Sequence, residues 1–60
     1  MTPSYVKEII ENHGLKKYFV AAQCLIPVQR LSSYLSNKGT LGINQEHRLR
    51  KFIETLIPED

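Results

Sequence analysis

Apolar residues recur along this chain at helical spacing, in four groups separated by short polar or helix-breaking segments. Val6, Ile9 and Ile10 form the first stripe, with Tyr5 and His13 on its margins and Lys7, Glu8, Glu11 and Asn12 opposite. A rhythm of three and four places such residues on one helical face. Thr2 can cap this helix, Pro3 fits its first position, and Gly14 can take the left-handed conformation after its last turn. His13 then lies near the helix end, where a cation suits the dipole. Val20, Ala21 and Cys24 predict a second helix over about 16–25, and the rhythm resumes with Ile26, Leu31, Tyr34 and Leu35, predicting a third over about 27–36. Between them stands Pro27, which cannot continue a helix but suits the opening turn of a new one. Leu49, Phe52, Ile53 and Leu56 predict a fourth helix, with Asn44 as its cap, Glu46 in its first turn and Ile57-Pro58 as its stop before a polar tail. Leu15 and Leu41 are expected to turn inward from the joints, and Asn37 or Gly39 to supply the left-handed stop of the third helix. The expected fold is all-α, four short helices in one domain spanning residues 1–60.

Length adds a constraint. Sixty residues allow one domain, which buries only roughly 60% of the surface its unfolded chain exposes. The single cysteine, Cys24, excludes an internal disulfide and reads as a small buried apolar side chain. His13 and His47 show no metal-ligand spacing, and no carboxylate pair, activated nucleophile or phosphate loop is visible. Neither an enzyme nor a cofactor or metal is expected. The start lacks the basic flank and apolar run of a signal peptide, and no apolar run reaches membrane-spanning length. A soluble, cytoplasmic protein without a membrane partner is the expectation.

Charge changes the picture more. Between Asn12 and Gln45 stand Lys16, Lys17, Arg30 and Lys38 and no acid, so this window carries +4. Outside it lie the other four cations and all six acids, a net of −2. The positive middle coincides with the second and third helices. The third helix turns Val28, Gln29, Arg30, Ser32, Ser33 and Ser36 outward, a face of mostly short polar side chains with one cation and no acid. A short helix with such a face can enter a DNA major groove. Lys17 opens the second helix, where a cation is unhelpful to the dipole and an anionic partner such as a phosphate would fit. Phe19 falls partly outside the apolar register, and either covers the fourth helix or meets another chain. Arg48, Arg50 and Lys51 lie off the apolar stripe of the fourth helix, available to phosphates or simply solvated.

From Val6 to Gly39 the chain resembles the helix-turn-helix domain of phage repressor and Cro-type (lambda-repressor-like) regulators. The resemblance rests on Ala21, small in the middle of the second helix; on Ile26 after the turn; and on Leu31 and Tyr34 facing inward from the third. Lys17 stands where the family's motif often meets a phosphate. One departure is Leu25, where the turn usually carries glycine; a leucine there requires a strained backbone or a variant geometry. The resemblance implies a sequence-specific transcriptional regulator in a bacterial or phage-infected cell, with the third helix in the major groove of double-stranded DNA. Val28, Gln29 and Ser33 are the first candidates for base contact, with Ser32 and Ser36 next. Lys17, Arg30, Asn37, Lys38 and the backbone near Thr40 would hold phosphates. A homodimer on a palindromic operator is expected, with Phe19, Phe52 and Ile57 as candidate dimer contacts. A protein-interaction module, binding another regulator as antirepressors or antitoxin-like proteins do, is the alternative.

Overall fold

The computed structural model describes residues 2–57, and the expected tail at 58–60 lies outside the described residues. Four helices follow in order: α1 (Pro3–Asn12), α2 (Lys17–Cys24), α3 (Val28–Leu35) and α4 (Ile43–Leu56). No strand occurs among the described residues. α1 starts as its sequence dictates: Thr2 Oγ1 accepts a hydrogen bond from the Tyr5 amide at 3.2 Å, and Pro3 occupies the first helical position.

The first three helices end in the same way. After α1, Gly14 has φ 66°, its amide donates to the Glu11 carbonyl at 3.0 Å, and the Leu15 amide donates to Ile10 at 3.0 Å. After α2, Leu25 has φ 57°, with its amide on Ala22 at 3.3 Å and the Ile26 amide on Ala21 at 2.9 Å. After α3, Asn37 has φ 61°, with its amide on Tyr34 at 3.1 Å and the Lys38 amide on Ser33 at 2.8 Å. Each is a Schellman motif, which satisfies the last carbonyls and turns the chain sharply. After α1 and α2 the following residue turns inward, Ile26 being buried and Leu15 packed against the core, whereas Lys38 after α3 stays exposed. Of the two candidates for the stop after α3, Asn37 takes the left-handed conformation.

Leu25 carries the cost of this geometry, because an L side chain in the left-handed region is disfavoured by roughly 1–2 kcal/mol. Its side chain is 72% exposed, so little burial offsets that cost. Leu25→Gly is therefore expected to raise the unfolding free energy by about 0.5–1 kcal/mol after allowing for the glycine's extra chain entropy. Urea denaturation checks this. A fall in stability would mean that the leucine makes contacts outweighing the backbone relief.

α4 begins differently from the sequence expectation. Gly42, not Asn44, is the N-cap, and Ile43 is already helical. The reason is Gln45, whose Oε1 accepts from the Gly42 amide at 3.1 Å, while the Glu46 amide donates to the Gly42 carbonyl at 2.9 Å. This reach of the third helical residue back to the cap is half of a capping box, and it moves the start forward of Asn44.

α1 and α2 each pack against both α3 and α4. The core between them holds Val6 and Ile10 from α1, Val20, Ala21 and Cys24 from α2, Ile26 from the turn, Leu31, Tyr34 and Leu35 from α3, and Leu49 and Ile53 from α4. Leu31 and Leu49 are wholly inaccessible, each contributing about 1.5–3 kcal/mol relative to exposure. Leu41 and Phe52 pack on the margin of this core. His13 closes one end: Nδ1 lies 2.9 Å from the Ile9 carbonyl and Nε2 lies 3.1 Å from the Leu56 carbonyl. A neutral ring donates to one of these acceptors and an imidazolium to both. The ring thus ties the end of α1 to the end of α4, a longer reach than its place beside a helix terminus predicts.

Candidate nucleic-acid interface

With Leu31, Tyr34 and Leu35 turned inward, α3 leaves Val28, Gln29, Arg30 and Ser33 exposed on its opposite side. Ser33 and Gln29 are one turn apart, so their side chains stand above one another on one face. Gln29, Arg30 and Ser33 line a shallow depression together with Pro27, Lys38, Gly39 and Thr40. None of these described residues is acidic. The loop after α3 can lie close because residue 39 has no side chain: a Cβ there would stand 3.2 Å from Ser33 Cβ. Gly39 thereby brings Lys38 and Thr40 beside the face of α3, a role that the sequence expectation for Gly39 as a helix stop did not foresee.

The remaining candidates from the sequence lie elsewhere. Val28 is exposed at the opening of α3 and does not line this depression. Ser32 is half-buried on the flank of the helix. Ser36 and Asn37 line a separate groove with Ser4, Lys7, Glu8, Glu11 and Leu35, so two carboxylates of α1 share their surroundings. A phosphate approaching Asn37 would meet those acids, whereas one approaching Lys38 or Thr40 would not. Lys17 is exposed at the first position of α2. Of the three residues offered as dimer contacts, Phe19 is 45% exposed, while Phe52 and Ile57 are half-buried and pack against the core.

The helix starts also differ. α1 and α4 have side-chain hydrogen bonds at their first turns, and α4 has Glu46 there as well. α2 and α3 have neither a side-chain cap nor an acid in the first turn. Their leading amides are left for water or an external acceptor, with Lys17 beside one set and Arg30 beside the other. Lys16 is engaged locally, its Nζ 5.9 Å from the centre of the Tyr18 ring, a distance compatible with a cation–π contact.

Arg48 holds the turn that aims α3. Its Nε donates to the Cys24 carbonyl at 2.7 Å and its Nη2 to the Leu25 carbonyl at 3.2 Å. The guanidinium of α4 thus clamps the end of α2 at its strained residue. Sequence reasoning placed Arg48 on an outward face, because nothing local in the chain marks a partner 23 or 24 residues away. Burial raises the pKa of the Cys24 thiol above its ordinary value, and the Arg48 charge opposes this. The thiol stays protonated at neutral pH, consistent with a packing role. Burial also raises the pKa of Tyr34, assisted by Glu46 and opposed by Arg50. Among the described residues no group of three His, Cys, Asp or Glu stands together to hold a metal, and no helix is long and apolar enough to cross a membrane.

Comparison with known proteins returned no matching family model, curated protein or solved structure.

Proposed function

We propose that this chain is a sequence-specific DNA-binding transcriptional regulator of the phage repressor and Cro type, with α3 lying in the major groove. The observation that carries this reading is the exposed face formed by Gln29, Arg30 and Ser33, continuous with Lys38 and Thr40 in one acid-free depression. Gln29 offers a side-chain amide that both donates and accepts, which suits the N6 and N7 edge of adenine. Ser33 reaches the same groove floor one turn on, and Val28 packs on a thymine methyl. Arg30, Lys38, the Thr40 backbone and Lys17 hold phosphates on either side, fixing position without reading sequence. Two copies on a palindromic site would place their recognition helices one DNA turn apart.

Selection of bound duplexes from a random pool tests the reading. Enrichment of one symmetric sequence supports it; recovery of an unenriched pool at low salt counts against base reading. Lys17→Ala is expected to weaken binding to selected and random duplexes alike, and to lower the slope of log affinity against log salt by about 0.9 for one lost phosphate contact. A titration across a salt series checks this, and an unchanged slope removes Lys17 from the phosphate contacts.

A second reading is a helix-turn-helix protein-interaction module that binds another regulator. One observation favours it: α2 and its turn expose Tyr18 at 63%, Phe19 and Leu25, large apolar side chains on a helix next to the α3 face. The same salt series separates the two readings, since a module of this second kind shows no saturable binding to duplex DNA at any salt.

A further inference from the structure

The outer face of α4 carries a knob, a hollow and opposite charges at a spacing that fits a second copy of itself. Ile43 is the most exposed large apolar residue of the described chain, at 89%. On the same face, three turns along, lies a hollow lined by Tyr5, Arg50, Ile53, Glu54 and Ile57. Between knob and hollow stands Glu46, one turn from Arg50 on the near rim of the hollow, and both are exposed. Residues 43, 46, 50, 54 and 57 fall within one stripe of a helix with 3.6 residues per turn.

We propose that two copies pair antiparallel along this face, about a two-fold axis passing between Glu46 and Arg50. In that register Glu46 of each copy faces Arg50 of the other, giving two ion pairs across the axis. Ile43 of each copy then reaches the level of residues 53 and 54 of the other and enters the hollow between Tyr5, Ile53 and Ile57. The arrangement is isologous: knob meets hollow and acid meets base on both sides of the axis. Sliding the helices until the axis crosses Arg50 itself would oppose two guanidinium groups, although each Ile43 would still reach the level of Ile57 at the far edge of the hollow, so charge fixes the register. Ile57 belongs to this surface, while Phe52 points well away from Arg50 around the helix and Phe19 sits on α2. The pairing supplies the dimer contact that the DNA reading calls for, and rests on that reading only in this respect.

The face is small. The chain exposes 4289 Å², and a standard interface takes roughly 800 Å² from each partner, more than the side of one 14-residue helix offers. The dimer is therefore weak in free solution and is reinforced when one DNA site holds both copies side by side.

Sedimentation equilibrium of the full chain, from micromolar to millimolar concentration, is expected to show the average mass rising from one chain towards two. Ile43→Asp, Arg50→Glu and Glu46→Arg should each raise the dimer dissociation constant by about tenfold or more. An equimolar mixture of Arg50→Glu and Glu46→Arg should dimerise again, because the crossed pairs are once more opposite in charge. Ile43→Asp lies at a solvent-exposed position, so it tests the pairing even if a charge reversal disturbs the fold; circular dichroism reports helicity for each variant. A parent chain that remains single at millimolar concentration, variants that dimerise as well as the parent, or a mixture that stays monomeric would each overturn the pairing. A chain that reads its selected sequence but never self-associates overturns this inference and leaves the DNA reading standing. A chain that pairs as described yet does not bind duplex DNA supports the pairing and overturns the DNA reading.

Discussion

Replacing Arg48 by alanine is expected to lower the unfolding free energy by about 2 kcal/mol, within the range for hydrogen bonds made by a charged group. Both bonds end on carbonyls at the close of α2, the Cys24 bond at 2.7 Å and the Leu25 bond at 3.2 Å, where a cation also complements the helix dipole. A core of this size supplies only about 3–5 kcal/mol in all, so the loss removes a large share of the stability. Thermal unfolding should fall by about 10 °C for a chain of this length. Arg48→Lys should recover only part of it, since an ammonium cannot present two fixed donors in a planar fork. The consequence reaches the candidate interface, because the clamped turn sets where α3 begins. At a temperature where Arg48→Ala remains folded, its affinity for a selected duplex should still fall while the exposed face of α3 is chemically intact. Stability equal to that of the parent would mean that the guanidinium contributes nothing to the turn.

Gln29→Ala is the second large effect. Affinity for the selected duplex should fall by about 1–3 kcal/mol, the worth of a bidentate contact to one base, and affinity for random duplex should scarcely change. Discrimination between the two thus falls by roughly 5- to 150-fold. The change removes no buried contact, since Gln29 is exposed, so unfolding midpoints of variant and parent should coincide. Equal losses on both duplexes would place Gln29 among the position-holding contacts and leave sequence reading to other residues.

Much of the fold follows from local rules that act within a few residues. The apolar rhythm identifies all four helices, and Gly14 and Asn37 act as left-handed stops because those residue types tolerate the conformation. Leu25 takes the same conformation for a different reason, one that local rules cannot supply: the clamp comes from Arg48, across the molecule on α4. The start of α4 misled because Asn44 is a good cap by type, yet Gln45 reaches back to Gly42 first. At the candidate site the exposure of Val28, Gln29, Arg30 and Ser33 is legible from period alone, whereas Ser32 is half-buried and Ser36 caps the end of the helix. What period cannot give is what lies beside each residue. Ser36 and Asn37 share a groove with Glu8 and Glu11, and those acids stand far off in sequence. Lys38 and Thr40 join Gln29 and Ser33 only because Gly39 permits the loop to approach.

A double-mutant cycle between Gln29 and the adenine proposed as its partner tests most directly whether the exposed side of α3 reads bases. The selected duplex is prepared with 7-deazaadenine at each adenine in turn, and the affinities of the parent and of Gln29→Ala are measured for each. The expected result is one position in each half-site at which the modified base weakens the parent but has no further effect on Gln29→Ala, a coupling of about 1 kcal/mol or more. Strictly additive losses at every adenine would contradict it.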